Sequence, residues 1–143
     1  MTPIQHRSEF AAALAQPRAF LFLWVNWAVH AMHSRALVAT AVAAWRAEHP
    51  DQLVPCYMAD VSDQCGELWD ALAEWLTAER RPAGQLMMSG AGPLLWLRSG
   101  HVVLHVPAPL QYDAARLAVV SRSVFTVEAE PHAAADRQLL GDS

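Results

Sequence analysis

The chain has 143 residues, 54% of them hydrophobic and 17% charged, which suits one domain with a real core and leaves two domains cramped. That apolar content, with six tryptophans, is wrong for a disordered chain. A formal charge of −4, with all ten basic residues arginine, offers no electrostatic footprint for a phosphate backbone, so nucleic acid is not an expected partner.

Residues 4–6 read as a brief edge strand. Ser8, followed by Glu9, Phe10 and Leu14, reads as the cap and apolar face of a short helix that Pro17 ends. Residues 20–26 are a continuous run of large apolar side chains, the pattern of a strand buried on both faces. The run at 19–25 follows Arg7 and Arg18 and could pass for the core of a signal peptide. It is too short to cross a bilayer, however, and Glu9 and a helical pattern occupy the supposed basic region. A cytoplasmic location without membrane contact is therefore expected.

Over residues 32–48 the positions Met32, Leu37, Val38, Ala41, Val42 and Trp45 recur at helical spacing, and His49, Pro50 and Asp51 end the run. Residues 53–59 read as a second strand, with Pro55 arguing for an edge or a bulge near its start. Strand, helix, strand implies a right-handed parallel crossover. Asp63 is then the expected cap of a helix carrying Leu68, Trp69, Leu72, Trp75 and Leu76 on one face, a stripe that reads as core. Arg80, Arg81 and Pro82 stop it.

Residues 83–92, rich in glycine and small side chains, read as a loop. Residues 94–97 and 101–106 flank Arg98, Ser99 and Gly100 as a hairpin, and a last helix fits 113–124. The expected organisation is one domain over 1–125 and a mobile, acidic and alanine-rich tail over 126–143.

Compared with this order of elements, several residues resemble the thioredoxin-like superfamily, which includes thioredoxins and protein disulfide isomerase-like domains. Trp24 and Trp27 at the end of the buried strand, with Ala28 and Ala31 opening the next helix, resemble its Trp-x-x-Trp stretch and the Cys-x-x-Cys that follows. Phe10 matches the usual aromatic of the first helix, and Asp60 the aspartate ending the next strand. Gly92 and Pro93 resemble the cis-proline strand start, with Gly100 in the glycine turn after it. The resemblance covers about residues 4–125 and implies an α/β fold with a central mixed sheet of four to five strands flanked by helices.

It also implies that Ala28 stands where the family has its nucleophilic cysteine and Ala31 where it has the resolving one. A methyl group neither forms a thiolate nor accepts its attack, so dithiol exchange at this site is not expected. Phe22 occupies the place of the family's buried aspartate and Ala36 that of its helix-kinking proline. His30 matches the histidine before the second cysteine in protein disulfide isomerase-like domains.

What the resemblance leaves is a docking face of Trp27, Val29, His30, Gly92 and Pro93, with Gly92 offering its backbone to an extended segment. The expected function is a redox-inactive binding module or assembly or chaperone factor, with no cofactor and with a protein or peptide partner, or a second copy in a homodimer. The alternative is metal binding or residual thiol chemistry. His30 and His33, three apart at a helix start, are weak candidate metal ligands, to which a loop such as Met87 and Met88 would add a third. Cys56 and Cys65 have no metal-type or Cys-x-x-Cys spacing and read as structural. His101 and His105, evenly spaced on one strand, are expected on one face about 13 Å apart, too far to chelate one ion.

Overall fold

Large side chains on both faces of one strand set the architecture, because such a strand must be covered twice. In the computed structural model, which describes residues 1–126, this is β2 (Arg18–Trp24), where Ala19, Phe20, Leu21, Phe22 and Leu23 are all buried. The tail expected to be mobile lies, beyond residue 126, outside the described residues.

The remaining elements are β1 (Thr2–Ile4), α1 (Arg7–Leu14), α2 (Val29–Glu48), β3 (Cys56–Asp60), α3 (Glu67–Ala78), α4 (Ala83–Met88), β4 (Leu94–Arg98), β5 (His101–Val106) and α5 (Ala114–Thr126). One five-stranded sheet runs in the order β1-β3-β2-β4-β5, with β1, β3 and β2 parallel and β4 and β5 antiparallel. Alternation along β2 then sorts the core. Leu21 and Leu23 join Phe10, Leu68, Leu72, Leu76 and Leu86 on the side of α1, α3 and α4. Phe20 and Phe22 join Val38, Val42, Trp45, Leu117 and Phe125 on the side of α2 and α5. Among the described residues no helix is long and apolar enough to cross a membrane, and the run at 19–25 falls in a central strand.

Several boundaries differ from the sequence reading. β1 lies at Thr2–Ile4, before the expected 4–6, where it pairs with Tyr57, Met58 and Ala59. α1 starts at Arg7 rather than after a Ser8 cap, and the Glu9 carboxylate accepts the backbone N–H groups of Gln5 and His6 at 2.9 and 3.0 Å. Asp63 does not cap α3: its carboxylate accepts the Cys65 N–H at 2.9 Å within the loop, and Gly66 stands at the cap. Asp113 does cap α5, accepting the Arg116 N–H at 2.7 Å. Residues 83–88 are helical where a loop was expected, because burying Leu86 and Met87 under the sheet folds that segment into α4.

The hairpin turns at Ser99 and Gly100, both with positive φ, as a two-residue primed turn requires. Its register then shifts: Leu97 faces Val102, but Trp96 faces Leu104, leaving Val103 as an extra residue in β5. This bulge corrects the expectation that His101 and His105 share a face, since even spacing holds only in an unbroken ladder. Val102 joins the α3 side, while Val103 and Leu104 both join the other.

His105 is half-buried beside Arg81, and burial first, then the guanidinium, pushes its pKa down to about 4. The unfolded imidazole takes a proton near its usual 6.5 while the folded one resists until about 4. The stability this neutral histidine contributes is therefore present above about pH 6.5 and lost as pH falls through 4. His105→Gln is expected to flatten that part of the stability profile, read as urea midpoints of both proteins between those two pH values.

Candidate functional site

Where β2 ends, hydrogen bonds pin the chain before it is released into α2. The Val61 N–H donates to the Trp24 carbonyl at 2.8 Å, and the Asn26 N–H donates to Ser62 Oγ at 2.8 Å. Asp60 holds that serine's own N–H at 2.9 Å, so this carboxylate serves the loop between β3 and α3. Trp27 then projects into solvent, 60% exposed, and Ala28, with extended backbone and no side-chain cap, starts α2. Val29 is 63% exposed and His30 is exposed, whereas Ala31 is fully buried.

The second wall is the segment from Gly90 to Pro93 that leads into β4. Gly90 has φ +70°, and a Cβ there would lie 2.9 Å from the Trp27 ring and 3.0 Å from Ala28 Cβ. Gly92 has φ +68°, and its Cβ would lie 2.8 Å from Ser34 Cβ and 3.0 Å from the Phe22 ring. Only glycine meets both demands without strain at either position. The structure thus brings Trp27 and Ala28 against Gly90, and Phe22 and Ser34 against Gly92.

Two expectations about this wall change. No peptide bond among the described residues is cis, so Pro93 is trans, not cis as the resemblance implied. The left-handed residues Gly90 and Gly92 make the turns that bring Pro93 into line, and its carbonyl accepts the Leu23 N–H at 2.9 Å. Gly92 and Pro93 are both buried, and the Gly92 carbonyl accepts Ser34 Oγ–H at 2.9 Å inside the protein. The backbone of Gly92 therefore serves α2, and the exposed part of the face is made of side chains.

Those side chains include two not singled out from the sequence as part of this face. Met32, one turn along α2 from Val29, and Met88, two residues before Gly90, are each 55% exposed. Their signal was present as flexible apolar residues on elements that lead into the site. Large apolar side chains left this open mark a place where another molecule can bury them.

The alternative chemistry finds less support. His30 and His33 are both exposed at the start of α2, but among the described residues no three His, Cys, Asp or Glu side chains come together to hold a metal ion. Met87, a suggested third ligand, is buried. Both cysteines are free. Cys56, buried at the start of β3, has its thiol pushed up to about 12 by desolvation, so it stays protonated, while Cys65 is exposed in the loop beyond the far end of that strand. Phe22 is fully buried, Ala36 is exposed on α2, and Phe10 meets Trp75 edge-on at 5.3 Å. Trp75 also donates its indole N–H to the Gly100 carbonyl at 3.0 Å, which makes it core, as expected, and not a stacking platform.

No protein-family model matches the chain, and no curated protein does. Solved structures similar to it include human ERp44 and an Arabidopsis thaliana thioredoxin. The human ERp44 zinc-bound form superposes with a TM-score of 0.57 at 14% identity, covering 85% of this chain and 30% of ERp44. Thioredoxin O2 from Arabidopsis thaliana in its oxidized state superposes with a TM-score of 0.56 at 19% identity, covering 87% of this chain and 93% of the thioredoxin. The fold is thus thioredoxin-like, as the sequence pattern implied.

Proposed function

We propose that this chain is a redox-inactive thioredoxin-like protein that binds an extended segment of a partner protein on the face where its relatives in fold carry their cysteine pair. The observation that carries this reading is the exposure of Trp27 and Val29, 60% and 63%, at the start of a helix that opens with Ala28 and Ala31, where the resemblance implies thiols. Folding alone does not favour leaving an indole in water, whereas a partner that covers it gains its full apolar area.

Affinity in this reading comes from burying Trp27, Val29 and Met32, and His30 at the rim supplies a polar contact. Backbone pairing at Gly92 plays no part, because Ser34 already occupies that carbonyl. The absence of a thiol at positions 28 and 31 leaves the partner bound by contact alone and free to leave without a reductant.

Immobilised protein and a Trp27→Ala variant of equal thermal stability are compared for capture from a lysate of the source organism, read by mass spectrometry. A partner is expected whose affinity falls about thirtyfold with the variant, the loss of one aromatic hot spot worth about 2 kcal/mol. Equal recovery by both proteins would remove this face from the reading.

A further inference from the structure

Charge is spread unevenly along this chain, and the unevenness falls on the Trp27 face. The formal charge is −4, yet no acidic residue occurs between Glu9 and Glu48, nor between Glu79 and Asp113. The first stretch supplies the end of β2, Trp27 and the exposed turns of α2, and the second supplies α4, Met88 and the wall at 90–93. Both walls of the face are thus free of carboxylates. Residues 82–93 carry no charged side chain at all, so the charge of the face is set by the exposed residues His30, His33 and Arg35 near the start of α2.

Arg35 is placed to receive an anion. It lies three residues beyond Met32, one turn further along α2, and its guanidinium stacks over the Trp24 ring, 4.9 Å from the centroid. Trp24 is the half-buried last residue of β2, so the stack ties Arg35 to the strand end that leads into the exposed indole of Trp27. Stacking uses the flat face of the guanidinium and leaves its edge of N–H donors open. Among the described residues Arg35 forms no ion pair. A cation already held in one orientation loses less freedom when a partner binds it.

The remaining border is acidic, but its carboxylates are occupied. Through the bond from Asn26 to Ser62 the loop between β3 and α3 comes up to the face, bringing Asp60 and Asp63 with it. Asp60 accepts the Ser62 N–H and Asp63 the Cys65 N–H, each at 2.9 Å, so both serve their own loop. Glu67 accepts the Arg7 N–H and meets His6 Nδ1, both at 3.2 Å, towards α1. The face is therefore polarised, with its cationic side along α2.

We propose that the partner segment bound at this face is acidic, with carboxylate side chains between its large apolar ones, and that Arg35 reads that charge. This rests on the Trp27 face being a binding surface. The apolar residues of the segment cover Trp27, Val29 and Met32, and a neighbouring carboxylate accepts from the open edge of Arg35. A lysine in that place meets a like charge and finds no carboxylate on either wall.

Short labelled peptides of one pattern, leucine alternating with glutamate, glutamine or lysine, are titrated into the full chain and followed by fluorescence anisotropy. At low salt the glutamate peptide is expected to bind about fivefold more tightly than the glutamine peptide, the worth of an exposed ion pair, and the lysine peptide more weakly than either. That preference is expected to vanish in about 1 M salt, where charges are screened within about 3 Å. Arg35→Gln is expected to abolish it without changing the affinity of the glutamine peptide, and Arg35→Glu to transfer it to lysine. Trp27→Ala is expected to weaken all three peptides.

Equal binding of the three peptides by the unaltered protein, or a glutamate preference that survives Arg35→Gln, would overturn the role of Arg35, while a loss with Trp27→Ala would still uphold the face. Discrimination that Trp27→Ala leaves untouched would move binding away from this face and overturn both readings, as would unaltered protein that binds none of the three.

Discussion

A variant carrying Ala28→Cys and Ala31→Cys is expected to gain dithiol chemistry that the unaltered chain lacks: two titratable thiols, a disulfide formed in mild oxidant, and reduction of insulin with dithiothreitol. The geometry for it is in place. Ala28 caps α2 and Ala31 lies three residues on, so their Cβ atoms stand about 5–6 Å apart, a separation a disulfide closes with modest adjustment. Position 28 is only part-buried and has no side-chain cap, so a thiolate there faces the free N–H groups of the first turn, which lower its pKa.

Position 31 is fully buried, so its sulfur must find room at a cost of about 1 kcal/mol, a loss a stable domain tolerates. Phe22, where the resemblance implies a buried aspartate, offers no carboxylate to take the second proton, and turnover is therefore expected to be slow. The Ala28→Cys single variant is expected to form mixed disulfides without turning over, because nothing resolves them. A folded double variant whose thiols never pair would mean that positions 28 and 31 do not correspond to the cysteine pair of the fold, and the proposed binding face would lose its basis.

The parts of this molecule that a sequence makes legible are those whose signal lies in neighbouring residues. Phe20 to Leu23 announced a strand covered on both sides because every position is large and apolar, and the two cores meet on that strand. The exposed indole of Trp27 was legible through the resemblance, which sets it beside the positions of the family's cysteine pair. The contacts that correct the reading are made across the fold. Ser34 and Gly92 are 58 residues apart, and no feature of either marks the hydrogen bond that takes the glycine carbonyl away from a partner.

Likewise, the alternation of residues 101–106 carries no sign of the extra residue at Val103, which only pairing with β4 reveals. α4 was hidden because Pro82, Gly84 and Gly90 outweigh a short apolar pair, until the sheet supplies the surface that Leu86 and Met87 cover. The turn after α3 was legible as a stop but not as a left-handed one, since the residue that makes it is arginine where glycine is usual.

Gly92→Ala is expected to be the costliest single methyl in this molecule. The left-handed backbone at φ +68° charges a side chain roughly 1–2 kcal/mol, and the added carbon would stand 2.8 Å from Ser34 Cβ and 3.0 Å from the buried Phe22 ring. Neither neighbour can yield easily, because Ser34 is buried on α2 and Phe22 is locked in the sheet. Backbone strain and overpacking together bring the expected loss to about 3 kcal/mol, read as a fall in the urea midpoint without a change in slope. Gly90→Ala meets the far end of the Trp27 ring, which is 60% exposed and free to swing, and one fixed neighbour, Ala28 Cβ at 3.0 Å, so its expected cost is smaller than at position 92. Removing the obstacle should separate the two contributions at position 92. Ser34→Gly combined with Gly92→Ala is expected to cost less than the sum of the single changes, because the clash with Ser34 is gone while the strained φ remains. Strict additivity would show that the close approach of Ser34 contributes nothing and that the backbone angle and the Phe22 ring account for the cost.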